Sequence, residues 1–154
     1  MGRIQNKKIK LKIVGTENSY SDTLKKVIAK SGLENRIEFL GGVFGDKKFE
    51  LFANAKAFVA PSYSEAIGMV NLEAAACKTP VITTFETGIS SKWNSNGGLM
   101  INPNVEELTQ AINTVTSWSN EERFSRGENL SNFVLMNYSW EKRGVLWNEL
   151  YSSL

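Results

Sequence analysis

Histidine is absent from this chain, and Cys77 is its one cysteine. The missing histidine removes the commonest general base and every Ser-His or Cys-His nucleophile pair, so Ser62, Ser64 and Thr83 are rejected as nucleophiles. A lone thiol excludes a disulfide framework within the chain, and with the usual nitrogen and sulfur ligands almost gone no zinc site is expected. Any chemistry must therefore rest on carboxylates, hydroxyls, backbone amides, Lys or Arg. Apolar runs of bilayer-spanning length are also lacking, as is a signal-peptide core. A cytoplasmic location follows as the expectation, with any work on membrane-linked substrates done from the inner face as a peripheral protein. Excess charge of one sign is lacking too. A net charge of +2 gives no case for nucleic acid as a partner. The basic cluster Lys7, Lys8, Lys10 and Lys12 alternates with Ile9, Leu11 and Ile13 and reads as the solvated face of a strand.

What remains is an ordinary globular composition, 42% hydrophobic and 22% charged, of a size that suits one domain with a sizeable core. Short apolar runs of strand type alternate with segments of helical periodicity. Strands are expected at Ile9–Val14, Ile37–Leu40, Ala57–Ala60, Val81–Thr83 and Leu99–Ile101. Helices are expected over Ser21–Lys30, with Asp22 at its start and Gly32 just past its end, over Asp46–Asn54, and over the alanine-rich Val70–Cys77. Three more helices follow, one from Val105, then Glu121–Leu135 and Trp140–Leu150. Strands alternating with helices predict an α/β fold: a Rossmann-like parallel sheet with helices on both faces and a helical C-terminal tail. Cys77 reads as a small core residue, and Trp118, Trp140 and Trp147 as packing anchors of the tail. Trp93, in a loop, reads as packing rather than as a sugar platform.

Ligands of open parallel sheets bind beyond the carboxyl ends of the strands. There the third strand runs into Pro61-Ser62-Tyr63-Ser64-Glu65-Ala66-Ile67-Gly68, and the alanine-rich helix begins directly after. A glycine at a helix start lets a ligand approach unpaired N–H groups, and the helix dipole favours a phosphate there. The segment is neither a Walker loop nor a G-x-G-x-x-G fingerprint. Glu65 and Glu73 flank it, with seven residues between them. A side chain early in a helix leans toward the N-terminus, so Glu73 reaches back toward the loop. A bidentate acceptor suits the neighbouring hydroxyls of a ribose, and a second acceptor suits the hydroxyls of a sugar.

The stretch Ser64-Glu65-Ala66-Ile67-Gly68-Met69-Val70-Asn71-Leu72-Glu73-Ala74 resembles the Glu-x7-Glu motif of glycosyltransferase family 4, the group 1 transferases. Arg36–Gly41, Ala57–Ser62, Ala74–Ile82, Asn96–Ile101 and Ser139-Trp140-Glu141 fall in place around it, so the likeness covers nearly the whole chain. The resemblance implies the C-terminal, donor-binding half of a two-domain GT-B enzyme. Its partners would be a nucleotide-sugar donor, a saccharide or lipid-linked acceptor, and an N-terminal acceptor domain that this chain does not include. Alone, the chain would be inactive. Glu65 would act at the donor sugar's reacting centre. Glu73 would hold the ribose, the amides of Gly68, Met69 and Val70 the diphosphate, and Val43 would stand in the base-contacting loop. Transfer would retain the anomeric configuration, with no cofactor and no essential metal. Polysaccharide or glycolipid assembly is the implied pathway.

The pattern is not copied everywhere. The family's Glu-Gly-Phe-Gly reads Glu65-Ala66-Ile67-Gly68, and its Gly-Gly-x-x-Glu reads Thr87-Gly88-Ile89-Ser90-Ser91. The first strand and helix of the family domain, which supply an Arg and a Lys to the diphosphate, are missing; Arg3 and Lys8 echo them only faintly. Three other readings compete. A nucleotide-sugar-binding module without catalysis fits the same motif. An epimerase would need further acid–base groups, and a receiver domain would need acidic residues after the first and third strands, where Gly15-Thr16-Glu17 and Pro61-Ser62 stand.

Overall fold

Five short strands and six α-helices alternate along the chain in the computed structural model, which describes residues 1–153. They fall into two compact units, Met1–Lys48 and a second from Phe49 onward.

In the first unit, β1 (Leu11–Ile13) and β2 (Ile37–Phe39) pair in parallel, with Leu11 opposite Ile37 and Lys12 opposite Glu38. Between them runs α1 (Ser19–Lys30). Its start is set by Asn18, whose side chain accepts from the amides of Tyr20 and Ser21 while the Ser21 hydroxyl accepts from the Asn18 amide. This reciprocal cap, rather than Asp22, begins the helix two residues ahead of the expected Ser21. Gly32 is left-handed (φ +62°) just beyond the helix, where a residue with a Cβ would be strained. The Arg36 guanidinium donates to the carbonyls of Met1, Asn6 and Ile9, fastening a segment that has neither strand nor helix before Leu11. Arg3 and Lys8 belong to that segment.

α2 (Asp46–Asn54) leads into the second unit, where β3 (Phe58–Ala60), β4 (Val81–Thr84) and β5 (Leu99–Ile101) form a parallel sheet in that order. Alternation along the strands divides the core. Val81 and Met100 face a cluster built with Leu72, Ala74 and Ala75 of α3 (Met69–Ala76) and with Leu130 and Val134 of α5 (Asn120–Tyr138). Ile82 and Ile101 face Ala111, Val115 and Trp118 on and after α4 (Val105–Ser117). Helices thus cover both faces, as the near-continuous apolar strands foretold. The alanines of α3 let it lie close on the sheet. Gly127 does the same for α5, since a Cβ there would strike the carbonyl of Lys78.

Trp93 is fully buried and donates its indole N–H to the carbonyl of Val81 at 3.4 Å, which rules out a stacking role. Trp118 is buried, and Cys77 packs half-buried against the core. The expectation for Trp140 and Trp147 fails. They lie on α6 (Trp140–Ser152), which buries no residue, and are 79% and 51% exposed. Trp147 stacks on Tyr151 one turn later rather than on the core. No described helix is long and apolar enough to cross a membrane.

Candidate functional site

The carboxyl edge of the three-stranded sheet carries a run of hydroxyls and one long turn. β4 ends in Thr83 and Thr84, both buried. Thr83 Oγ1 donates to the Ala60 carbonyl (3.3 Å) and Thr84 Oγ1 to the Ser62 carbonyl (2.6 Å). Two adjacent side chains, which point to opposite faces of the strand, thereby fix the start of the 61–68 turn. Farther along, the Glu65 amide donates to the Glu86 carbonyl (3.0 Å), and Thr87 Oγ1 donates to the carbonyl of Thr84 (2.9 Å). Gly88 is left-handed (φ +60°), and a Cβ there would overlap the Ala66 carbonyl. The turn is therefore held by backbone and hydroxyl bonds on one side and by close packing on the other.

Glu65 is half-buried, and its Oε2 accepts from Ser62 Oγ at 3.1 Å. The same oxygen lies 3.0 Å from the point where a Cβ on Gly68 would sit. The carboxylate thus borders the space that the missing side chain of Gly68 leaves open. Gly68 is the N-cap of α3 and has no side chain to close it. Its carbonyl accepts from the amide of Asn71 (2.8 Å). Of the three amides expected to be free, that of Met69 is taken by the Ile67 carbonyl at 2.8 Å, because the chain tightens as it enters the helix. Among the described residues the amides of Gly68 and Val70 find no protein partner. Gly68 is itself buried, and unpaired N–H groups at a helix start are the kind of donors that can pair with an anion.

Glu73 stands one helical turn after Met69 on the outward side of α3, opposite the buried Asn71, Leu72, Ala74 and Ala75. Helix geometry tilts its Cα–Cβ bond toward the helix start. Val43 belongs to the first unit, half-buried in the 40–45 connection between β2 and α2, where Gly41 and Gly45 are left-handed. Sequence reasoning missed Asn71, Thr83 and Thr84 as site residues. Three polar residues inside otherwise apolar helix and strand faces were the available signal, since buried polar groups need a partner.

A parallel sheet sheathed by helices, with such a turn at its carboxyl edge, is the fold of the C-terminal half of a GT-B glycosyltransferase. Residues 1–130 match the family model described as glycosyl transferases group 1, and the chain belongs to that family. An uncharacterized glycosyltransferase of Methanocaldococcus jannaschii is 31% identical over 86% of this chain and 34% of its own length. The gpi3 subunit of the Schizosaccharomyces pombe phosphatidylinositol N-acetylglucosaminyltransferase is 26% identical over 97% of this chain and 32% of its own. Among solved structures, that of Anabaena HepE in complex with UDP superposes with a TM-score of 0.85 at 23% identity, covering 99% of this chain and 43% of that one. The chain spans about a third of the length of the curated relatives it matches.

Proposed function

We propose that this chain is the donor-binding part of a retaining glycosyltransferase, taking a nucleoside-diphosphate sugar whose sugar passes to a saccharide or lipid-linked acceptor held by a separate domain. The observation that carries the reading is the Glu65 carboxylate beside the side-chain space left open at Gly68, at a helix start that leaves two amides unpaired. The diphosphate would lie against the amides of Gly68 and Val70, with Met69 contributing shape rather than its N–H. The ribose diol would meet Glu73, and the donor sugar Glu65. As the glycosidic bond breaks, negative charge grows on the leaving diphosphate while the anomeric carbon becomes cationic. Fixed N–H dipoles stabilise the first, and a carboxylate held by Ser62 stabilises the second. Glu65 orients and stabilises, and the acceptor oxygen enters from the face the diphosphate leaves, which retains configuration. The Anabaena neighbour, seen in complex with UDP, supports the choice of ligand class. Work at the inner face of a membrane, in polysaccharide or glycolipid assembly, accords with this reading.

Calorimetric titration with UDP, GDP and ADP tests it. One of the three should bind saturably, and Glu73→Ala should weaken that binding at least about tenfold, the equivalent of one bidentate charge-assisted contact. Flat titrations with all three would remove the assignment.

A further inference from the structure

Asn71 is fully buried on the face of α3 that otherwise carries Leu72, Ala74 and Ala75. Its Nδ2 donates to Thr83 Oγ1 at 3.1 Å, while its Oδ1 is buried without any hydrogen-bond partner. A buried acceptor left unpaired opposes folding, and an apolar residue of the same size would not carry that cost. The position therefore calls for a role other than packing.

That role is visible in what the amide touches. A Cβ on Gly68 would overlap Asn71 Nδ2 and come within 3.0 Å of Glu65 Oε2, so both side chains close on the same glycine. Thr83, which accepts from Asn71, donates in turn to Ala60, the last residue of β3. One chain of hydrogen bonds thus runs from the residue before the 61–68 turn, through β4, to the side chain packed on the residue that ends the turn. It clamps both ends of the segment bearing Glu65.

We propose that Asn71 is a positioning residue: linked through Thr83 to Ala60, its side chain sets the Gly68 helix start and the Glu65 carboxylate at the spacing a sugar diphosphate requires. The inference rests on the donor-binding reading for its ligand, and on the clamp alone for its geometry. Asn71 touches no ligand itself. It acts on the residues that do.

Three substitutions separate positioning from folding. Thr83→Val keeps shape and removes the hydroxyl, whereas Thr83→Ser keeps the hydroxyl. Asn71→Leu removes both the donor and the orphan acceptor. In calorimetric titrations with whichever of UDP, GDP and ADP binds the unsubstituted chain best, Thr83→Val and Asn71→Leu should each lose at least tenfold in affinity. Thr83→Ser should stay within threefold, and the Tm of Asn71→Leu should not fall. Hydrogen exchange in the ligand-free protein should show faster exchange at the Glu65, Met69 and Asn71 amides in Thr83→Val, with the Ile82 amide unchanged. Affinities within twofold of the unsubstituted chain, or losses that track a falling Tm, would overturn the proposal. If no nucleotide binds the unsubstituted chain, the donor reading fails by itself. The exchange measurement then decides for Asn71, with unchanged protection at the three amides counting against it.

Discussion

At the scale of single residues, the turn works because two glycines leave room that any side chain would fill. Gly68 is approached by Asn71 and Glu65, and Gly88 by the Ala66 carbonyl. Gly88 is also left-handed, a conformation that costs an ordinary residue about 1–2 kcal/mol. Gly88→Ala should therefore lower stability by more than about 1 kcal/mol in denaturant titration. It should also displace the 61–68 turn, so that nucleoside diphosphate affinity falls even at temperatures where the protein is fully folded. That Glu65 and Gly68 lie at a strand-to-helix junction, with Glu73 inside the helix, was legible in the sequence. The side chains that hold them were not. Nothing in the order of residues says that Thr83 bonds to Ala60 or that Asn71 reaches Thr83, since those partners are set by the register of β3 on β4. Nor could spacing show that the Met69 amide is taken by Ile67.

At the scale of elements, helix starts carry the pH sensitivity. The Glu107 carboxylate accepts from the Asn102 side chain (2.9 Å), the Asn102 amide (2.7 Å) and the Asn104 side chain (3.0 Å), while Asn104 caps α4 by accepting from the Glu107 amide. Hydrogen bonds from the Asn102 side chain first, then from its backbone and from Asn104, hold the Glu107 carboxyl below the usual glutamate range. Glu121 and Glu141, at the starts of α5 and α6, are lowered as well, chiefly by hydrogen bonds from their own amides and then from Ser119 and Ser139. A depressed folded-state value stabilises the fold above the unfolded value and loses that contribution as pH falls through the folded one. Thermal melts across the acid range should therefore show Tm falling below pH 4.5, the ordinary glutamate value. Glu107→Gln should have a lower Tm than the parent at neutral pH and approach it as the pH drops. A constant gap between the two would refute the assignment to Glu107. Element boundaries were legible to within a few residues wherever periodicity was strong, as at Asp46–Asn54 and Leu99–Ile101. α1 began earlier because Asn18, not the acidic Asp22, offers the cap.

At the scale of the whole molecule, the three-stranded sheet and its helices were foreseeable because strands covered on both faces must be apolar throughout, and Val81-Ile82 and Met100-Ile101 are. Trp93 reads from the sequence as packing, and the structure agrees. It lies in a connection yet fills the core against Phe133 and leaves no space for a side chain at Gly98. Trp93→Ala should cost roughly 3–5 kcal/mol, the range for emptying a buried aromatic, read as a lower midpoint at an unchanged denaturant slope. α6 is where the reading of the tryptophans fails. Its tryptophans look like anchors in the sequence, but the helix has no core of its own to anchor to.

The placement of the four tryptophans also determines what light can report. Trp93 and Trp118 emit from the dry interior of the second unit, Trp140 and Trp147 from a wet helix, and the first 48 residues contain none. Blue-edge emission thus follows the melting of the second unit alone, while circular dichroism sums over both. Heating curves from the two methods will superpose if the chain unfolds as one cooperative body, and will part if residues 1–48 let go on their own.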